Sequence, residues 1–264
     1  MKVSVIISIY KRLDNLELIL MGLERQSFTD FEVIVSEDND ALETKTFLEN
    51  YRKNSSFKIK HVFQEDLGFR KNKALNQSLR LSEGEIIAFL DGDCVPHKHF
   101  LKEYVHNVKE KTACFGRRVF LDKDYSQRFL QEKDFKLLTL TRLAFHVEEG
   151  FKYGFYLPYD WINTLDRAGI YGCNWAILKR HLLEINGFDE DYVIAGVGED
   201  SDVEWRLEKI GVKLQSTRNK SLVYHLYHNP NYSDADIEHN HKIYWQKVAE
   251  NNFYCLNGLT KVEK

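Results

Sequence analysis

The chain has 264 residues, which is enough for one large domain or two small ones with a substantial buried core. Its formal net charge of −3 gives no electrostatic footprint for a nucleic acid, so no nucleic-acid partner is expected. No apolar run is long enough for a membrane span. The 4 cysteines are widely spaced without a C-x-x-C pair, which argues against a zinc site and favours a reducing, cytoplasmic location.

Short apolar runs alternate with amphipathic stretches over residues 1–120. Continuous apolar runs predict strands buried on both faces, and apolar residues three or four positions apart predict helices. Strands are predicted at Val3–Ile9, 31–35, 59–63 and 86–90, and helices at 13–23, 41–51 and 71–81. Strand–helix alternation of this kind is typical of an α/β protein with a doubly wound parallel sheet.

The second half of the chain has a different character. Residues 129–175 are rich in aromatic side chains, show no clean period and are interrupted by glycines and a proline. Further on, we predict a helix at 203–210, a strand at 222–227 and a polar closing helix at 234–251. The chain shows no internal repeat, so we expect one domain with a short helical tail.

The predicted strand at 86–90 runs directly into Asp91-Gly92-Asp93. Ligands in parallel sheets bind at the carboxyl ends of strands, and glycine lets the backbone come close to a bound group. Two hard oxygen ligands at such a place suit Mg²⁺ or Mn²⁺ carrying a diphosphate. Turns favour the same residue types, so this motif alone leaves an ordinary turn open.

Four other segments place polar residues where a predicted strand ends or a helix begins, namely residues 8–12, 36–40, 64–70 and 196–202. Each alone is typical of a helix cap or a turn. Three of them fall on one edge of one parallel sheet, which favours a binding site. A carboxylate there can accept a pyrimidine N–H or bind ribose hydroxyls, while Arg12 and Arg70 can bind phosphate oxygens.

Taken together, these segments resemble the inverting glycosyltransferases of family 2, which have the GT-A fold. The most specific parts are residues 66–70 with Asn76, 91–94, 172–174, 186–190, and 198–202 with Arg206. The second half is similar to the carboxyl-terminal part of galactosyltransferases and of bacterial chondroitin-type polymerases. The resemblance implies a mostly parallel sheet flanked by helices, with a nucleotide-binding half at 1–120, an acceptor-binding half at 121–230 and a helical tail at 231–264.

For the donor, a UDP-sugar, the resemblance implies a site formed by Ile9, Tyr10, Arg12, Glu37, Arg70, Lys73, Asp91, Gly92 and Asp93. Glu37 stands where the family usually has an Asp that holds the uridine. Arg70 and Lys73 correspond to positions that face the diphosphate, and Asp91 to one near the ribose. The resemblance further implies that the transferred sugar is a hexose or N-acetylhexosamine, with galactose or GalNAc favoured.

For catalysis, the resemblance implies that Asp200 is the general base and that Glu199 holds the acceptor sugar. Asp93 is the metal ligand, and His225 with His228 closes a site for Mn²⁺ or Mg²⁺. Residues three apart in an extended strand face opposite sides, so both imidazoles can bind one ion only if the chain turns. The Asn-Pro pair at 229–230 favours such a turn.

The acceptor implied by the resemblance is an oligosaccharide or a lipid-linked glycan of a bacterial surface polysaccharide. The enzyme would then be cytoplasmic, with peripheral association at the inner face of the membrane as an option. Trp161 or Trp175 is expected to stack on the acceptor sugar. The adjacent Arg117 and Arg118 are interpreted as surface charges, with phosphate ligands as the alternative.

Two other functions stay open at this point. A sugar-phosphate nucleotidyltransferase would need a glycine-rich basic loop after the first strand, whereas residues 8–12 contain no glycine. A non-catalytic sugar-binding module would be free to lose Asp93, Asp200 or the histidines, and all of them are present.

Overall fold

The computed structural model describes residues 2–159, 169–196, 198–229 and 232–262. The first part alternates as predicted, in the order β1 (Val3–Ile9), α1 (Leu13–Glu24), β2 (Phe31–Glu37), α2 (Leu42–Tyr51), β3 (Lys58–Phe63), α3 (Lys71–Leu81) and β4 (Ile86–Asp91). Strand β2 is two residues longer than predicted, which places Glu37 at its end.

The remaining strands are β5 (Cys94–Pro96), β6 (Thr112–Phe115), β7 (Arg118–Leu121), β8 (Val147–Glu149), β9 (Asn174–Leu178), β10 (Lys213–Ser216) and β11 (Val223–His225). The remaining helices are α4 (Phe100–Asn107), α5 (Lys123–Glu132), α6 (Leu140–Leu143), α7 (Lys179–Glu184), α8 (Glu199–Lys209) and α9 (Asp234–Glu250). Helix α8 begins four residues earlier than the predicted 203, and β11 is shorter than the predicted 222–227.

A seven-stranded sheet with the order β10-β6-β9-β4-β1-β2-β3 forms the centre of the structure. All its pairings are parallel except those of β9, which runs antiparallel to both β4 and β6. Neighbouring residues of β1 point to opposite faces, so Ile6 and Ile7 enter two separate apolar clusters, one on each side. Helices cover both clusters, which confirms the α/β architecture expected from the alternation.

A second, four-stranded sheet with the order β5-β11-β7-β8 was not predicted. Its strands contain only three or four residues, too few to show a period in the sequence. Gly116 lies where the chain leaves β6 and enters β7 in this smaller sheet. Its N–H donates to the Asn174 carbonyl at 3.0 Å, and the Asn174 amide donates to the carbonyls of Arg117 and Ser221.

The structure corrects the interpretation of Trp175, which was expected to stack on a sugar. Its side chain is only 2% exposed, and its ring stacks on Phe89 with 4.4 Å between centroids. Trp175 is therefore a core residue, because β9 places its side chain in the apolar cluster that contains Ile6. Trp161 lies outside the described residues.

We expect Gly116→Ala to lower the free energy of unfolding by about 2–3 kcal/mol, since overpacking usually costs about that much. A β-carbon at Gly116 would lie 2.3 Å from both the Asn174 amide nitrogen and the Ser221 carbonyl oxygen. Urea unfolding followed by circular dichroism measures the change. Gly154→Ala is the control, because its nearest neighbour would be 3.2 Å away. Equal stability of the two variants would contradict the packing described for this corner.

Candidate active site

A cavity of about 910 Å³ opens at the carboxyl ends of β1, β2 and β4. All four polar segments that the sequence placed at strand ends or at a helix start contribute to it. Representative lining residues are Ser8, Asp38, Gly68, Asp93, Asp200 and His228. The expectation that these segments meet at one edge of the sheet is therefore confirmed.

The Asp91-Gly92-Asp93 corner packs directly against the end of β1. Strand pairing puts Asp91 opposite Ser8, and a β-carbon on Gly92 would lie 2.9 Å from the Ser8 carbonyl oxygen. Glycine is thus needed here for close approach of two backbones. The Asp91 carboxylate forms an ion pair with the Lys71 ammonium at 2.9 Å.

Asp93, His225 and His228 form a cluster in which one ligand atom from each lies within 4.8 Å of the others. Strand β11 pairs His225 with Cys94, and the Leu226 N–H donates to the Asp93 carbonyl at 2.8 Å, so the small sheet fixes this neighbourhood. The strand ends at His225, and the chain leaves the extended conformation there. His228 therefore faces the same carboxylate as His225. This is the turn that two histidines three residues apart need if both are to bind one ion.

The contacts in this cluster are short. His228 Nε2 lies 2.9 Å from Asp93 Oδ2, and His225 Nε2 lies 3.7 Å from Asp93 Oδ1. Burial raises the pKa of Asp93, but its contacts with the two imidazoles outweigh that effect and hold the pKa below its usual range. One carboxylate oxygen with two imidazole nitrogens fits a transition-metal dication such as Mn²⁺ better than Mg²⁺, which binds mainly oxygen.

Glu199 and Asp200 occupy the first turn of α8 and line the same cavity as the histidines. The backbone N–H of Gly172 donates to Asp200 Oδ2 at 2.8 Å. Burial raises the pKa of Asp200, although the nearby Lys71 ammonium opposes the shift. Burial and the Asp200 charge raise the pKa of Glu199 to about 8. Such carboxyl groups are stronger bases than exposed ones.

Sequence reasoning missed Lys71, the first residue of α3. Burial disfavours its charge, but Asp91, Asp200 and Glu199 together raise the pKa of Lys71 above its ordinary value. It therefore stays positive and offsets carboxylates on both walls of the cavity. The signal was its position directly after Arg70, at the start of a helix that follows a strand end.

The interpretation of Arg117 and Arg118 as surface charges is wrong. Arg117 is 7% exposed, and its guanidinium lies 4.9 Å from the Phe115 ring centroid. Arg118 lines the cavity, with its guanidinium 5.3 Å from the Tyr171 ring centroid. The turn between β6 and β7, which the sequence did not reveal, directs both side chains inward.

The nine residues predicted for the donor divide into two groups. Those that line the cavity are Ile9, Tyr10, Arg12, Asp91, Gly92 and Asp93. Within the described part of the chain, Glu37, Arg70 and Lys73 do not line it. The Glu37 carboxylate is fully buried and accepts a hydrogen bond from Thr44 at 2.8 Å, with His61 Nε2 also 2.8 Å away.

Asp38, the residue after Glu37, takes the cavity-facing position that was predicted for Glu37. Its two carboxylate oxygens accept hydrogen bonds from the Gln64 side chain at 2.6 Å and from the Arg70 backbone N–H at 2.5 Å. Arg70 thus contacts the cavity-lining Asp38 through its backbone. The roles given to Glu37, Arg70 and Lys73 stay predictions.

The sequence and the fold match known proteins. Residues 4–184 match the model of glycosyl transferase family 2, and residues 159–229 match a model described as the N-terminal domain of galactosyltransferase. The chain is 27% identical over 244 residues to validoxylamine A glucosyltransferase of Streptomyces hygroscopicus subsp. jinggangensis, covering 81% of this chain and 53% of that protein. It is 26% identical over 245 residues to chondroitin synthase of Escherichia coli, covering 84% and 34%.

Among solved structures, GalNAc-T7 with UDP, GalNAc and Mn²⁺ superposes with a TM-score of 0.65 at 13% identity, over 92% of this chain and 47% of that one. This likeness shows the GT-A fold. The chain spans between about a third and about half of the length of the two curated relatives. Among the described residues, no helix combines the length and apolar character needed to cross a membrane. Since the family model covers well over half of the sequence, this chain belongs to glycosyl transferase family 2.

Proposed function

We propose that this chain is a metal-dependent, inverting glycosyltransferase that moves a hexose or N-acetylhexosamine, with galactose or GalNAc favoured, from a UDP-sugar to a glycan. One observation carries the proposal: Asp93 with its two imidazoles and Asp200 with Glu199 face the same cavity. The first group is suited to hold a cation, and the second to accept a proton. Transfer from a nucleotide sugar needs both.

Asp93, His225 and His228 would hold the cation, for which Mn²⁺ is our first choice and Mg²⁺ the second. When bound, the ion supplies a Lewis acid that neutralises charge on the leaving diphosphate. The similar GalNAc-T7 structure contains UDP and Mn²⁺, which supports this assignment. Lys71 and Arg118 add fixed positive charge to the same region of the cavity.

Asp200 would act as the base. The acceptor oxygen attacks the anomeric carbon from the face opposite the diphosphate, the bond to the diphosphate oxygen breaks, and the hydroxyl proton passes to the Asp200 carboxylate. One direct displacement inverts the configuration, so an α-linked UDP-sugar gives a β-glycoside. The hydrogen bond from Gly172 orients the carboxylate for this step, and Glu199 is placed to bind the acceptor sugar.

The nucleotide would lie against Ile9, Tyr10, Arg12 and Asp38. The Tyr10 hydroxyl donates to Asp66 at 3.2 Å, which links the loop after β1 to the loop after β3 at this edge. In this proposal Arg70 supports Asp38 and Glu37 supports the end of β2, while Lys73, which does not line the cavity, would contribute to diphosphate binding only through its charge.

The acceptor would be an oligosaccharide or a lipid-linked glycan in bacterial surface polysaccharide synthesis, on the cytoplasmic side of the membrane. Similarity to a chondroitin synthase supports a glycan acceptor. We assign donor binding to residues 1–120 and acceptor binding to residues 121–230, with residues 231–264 as a helical tail.

Asp93→Ala is expected to abolish metal-dependent UDP binding and sugar transfer, because it removes the only carboxylate of the proposed ligand set. Calorimetry with UDP, with and without Mn²⁺, and UDP release from a panel of nucleotide sugars measure both effects. Asp124→Ala, an exposed carboxylate on α5, is the matched control and should behave as wild type. Undiminished transfer in EDTA would contradict the metal assignment. UDP binding without any donor hydrolysis or transfer would instead indicate a binding module.

Arg12→Ala is expected to raise the KM for the UDP-sugar at least about tenfold, and to change kcat less. Loss of a hydrogen bond to a charged group costs about 1.5–3 kcal/mol, which corresponds to a factor of this size. Replacing Arg128, a half-exposed arginine that pairs with Glu132, by alanine is the control.

Glu37→Ala is expected to weaken UDP binding, because Glu37 supports the end of β2. Unchanged UDP affinity would assign that carboxylate to folding alone.

Asp200→Asn keeps the shape of the side chain but cannot accept the proton, so transfer should slow by at least about 10²-fold with UDP and Mn²⁺ binding retained. Glu208→Gln, an exposed residue of the same helix, should leave transfer unchanged. Steady-state kinetics and the anomeric coupling of the product by NMR are the measurements. Near-normal turnover would point to Glu199 as the base, since Asp202 is buried against Arg206 and does not line the cavity, and an α-linked product would overturn the inverting mechanism.

A further inference from the structure

The chain between α7 and α8, residues 185–198, delivers Glu199 and Asp200 to the cavity, and we call it the α7–α8 connection. Its described residues, 185–196 and 198, form no helix or strand. Buried backbone groups in such a segment need partners from elsewhere in the fold. Many of these partners come from residues 232–262, which we call the C-terminal segment.

The start of the connection is held by Asn186, a buried residue with a φ of +63°. Its side-chain amide donates to the carbonyls of Cys255 at 2.5 Å and Thr260 at 2.8 Å, and its side-chain oxygen accepts from the Thr260 N–H at 2.8 Å. The Leu259 N–H donates to the Asn186 carbonyl at 2.9 Å. The two segments therefore share a hydrogen-bond network rather than a surface contact.

Charged groups hold the middle of the connection. The Lys247 ammonium on α9 lies 2.5 Å from Asp189 and 2.7 Å from Asp191. The Asn257 side chain donates to Asp191 at 2.6 Å. Asp189 is 2% exposed, so its ion pair with Lys247 is shielded from solvent and is stronger than a surface pair.

The end of the connection, next to the proposed base, is contacted by Asn240, a fully buried residue of α9. Its side-chain amide donates to the Ile194 carbonyl at 3.0 Å. A β-carbon on Gly198 would lie 3.0 Å from the Asn240 β-carbon, so α9 packs against the residue directly before Glu199. This glycine has a φ of +133°, a conformation that other residues rarely adopt.

The other side of the connection is held by α3. The Asn76 side chain donates to the Phe188 carbonyl at 2.8 Å and accepts from the Phe188 N–H at 2.9 Å, and Asn72 donates to the Asp189 carbonyl at 2.7 Å. The same helix begins at Lys71, which pairs with Asp91 in the donor region. The connection is thus fixed between the donor side and the C-terminal segment.

We propose that the C-terminal segment is a positioning element of the active site, and that Asn240 is a positioning residue that sets where α8 begins. Both matched family regions end at or before residue 229, so this role lies outside what the family assignment covers. The inference rests on the proposed function insofar as Asp200 performs the proton transfer. Removing the amide of Asn240 frees the Ile194 carbonyl and lets the start of α8 shift relative to the donor site.

The test uses Asn240→Ala in the full chain, with Lys242→Ala as the control. Lys242 lies on the same helix, and its side chain is 74% exposed. Its ion pair in the described structure is with Glu238, which is also exposed. We expect kcat for transfer to fall about 10- to 100-fold in Asn240→Ala, the size of effect that a misplacement of about 1 Å produces. The KM for the UDP-sugar and UDP affinity in Mn²⁺ should stay unchanged, because the residues proposed to bind the nucleotide and the cation lie within 9–93 and at His225 and His228, outside the α7–α8 connection.

Hydrogen-exchange mass spectrometry of the same proteins is the second measurement, and it does not depend on activity. Peptides covering residues 192–203 should exchange faster in Asn240→Ala, while peptides from β1 to β4 keep the wild-type rate. Faster exchange with unchanged kcat would overturn the positioning role, as would a parallel loss of UDP affinity or a wild-type exchange pattern. An inactive wild-type protein that still shows the local exchange difference would count against the proposed function and leave the anchoring itself supported.

Discussion

The crowding of four carboxylates at one end of the central sheet is the constraint on which this structure depends. Asp91, Asp93, Glu199 and Asp200 line one cavity, where burial makes uncompensated negative charge costly. Lys71 is placed between the two pairs, in direct contact with Asp91 and acting electrostatically on the other pair. The two pairs of carboxylates can therefore lie close together without mutual repulsion dominating.

Helix α3 links the charged cavity to the α7–α8 connection. Its first residue reaches the cavity, while Asn72 and Asn76 bind the backbone of the α7–α8 connection. Both asparagines are buried, and the Asn76 side chain satisfies both the N–H and the carbonyl of Phe188. One helix thus touches both the cavity and the segment that leads to Glu199 and Asp200, which limits how far the two can move apart.

The small sheet performs the equivalent task for the proposed metal ligands. Asp93 and His225 are far apart in the chain, and they meet because β11 pairs with β5 immediately after the Asp91-Gly92-Asp93 corner. The same sheet is reached through Gly116, where no side chain fits. Local packing at that corner therefore sets the position of a ligand cluster that lies on a different strand.

The sequence by itself determined β1 to β4 with their helices, the carboxylates after β4, and the acidic segment at 198–202, although it placed the start of the following helix at 203 and not at Glu199. These features are local, because the spacing of apolar residues over a short stretch of sequence indicates a buried strand or an amphipathic helix. Only the tertiary structure decided between nearby residues such as Lys71, which lines the cavity, and Lys73, which does not, because each step along a helix turns a side chain by about 100°. It also decided that Trp175 is core and that residues after 231 hold the α7–α8 connection. Those outcomes depend on pairings between segments distant in the chain, and no local period records which distant partner a segment will meet.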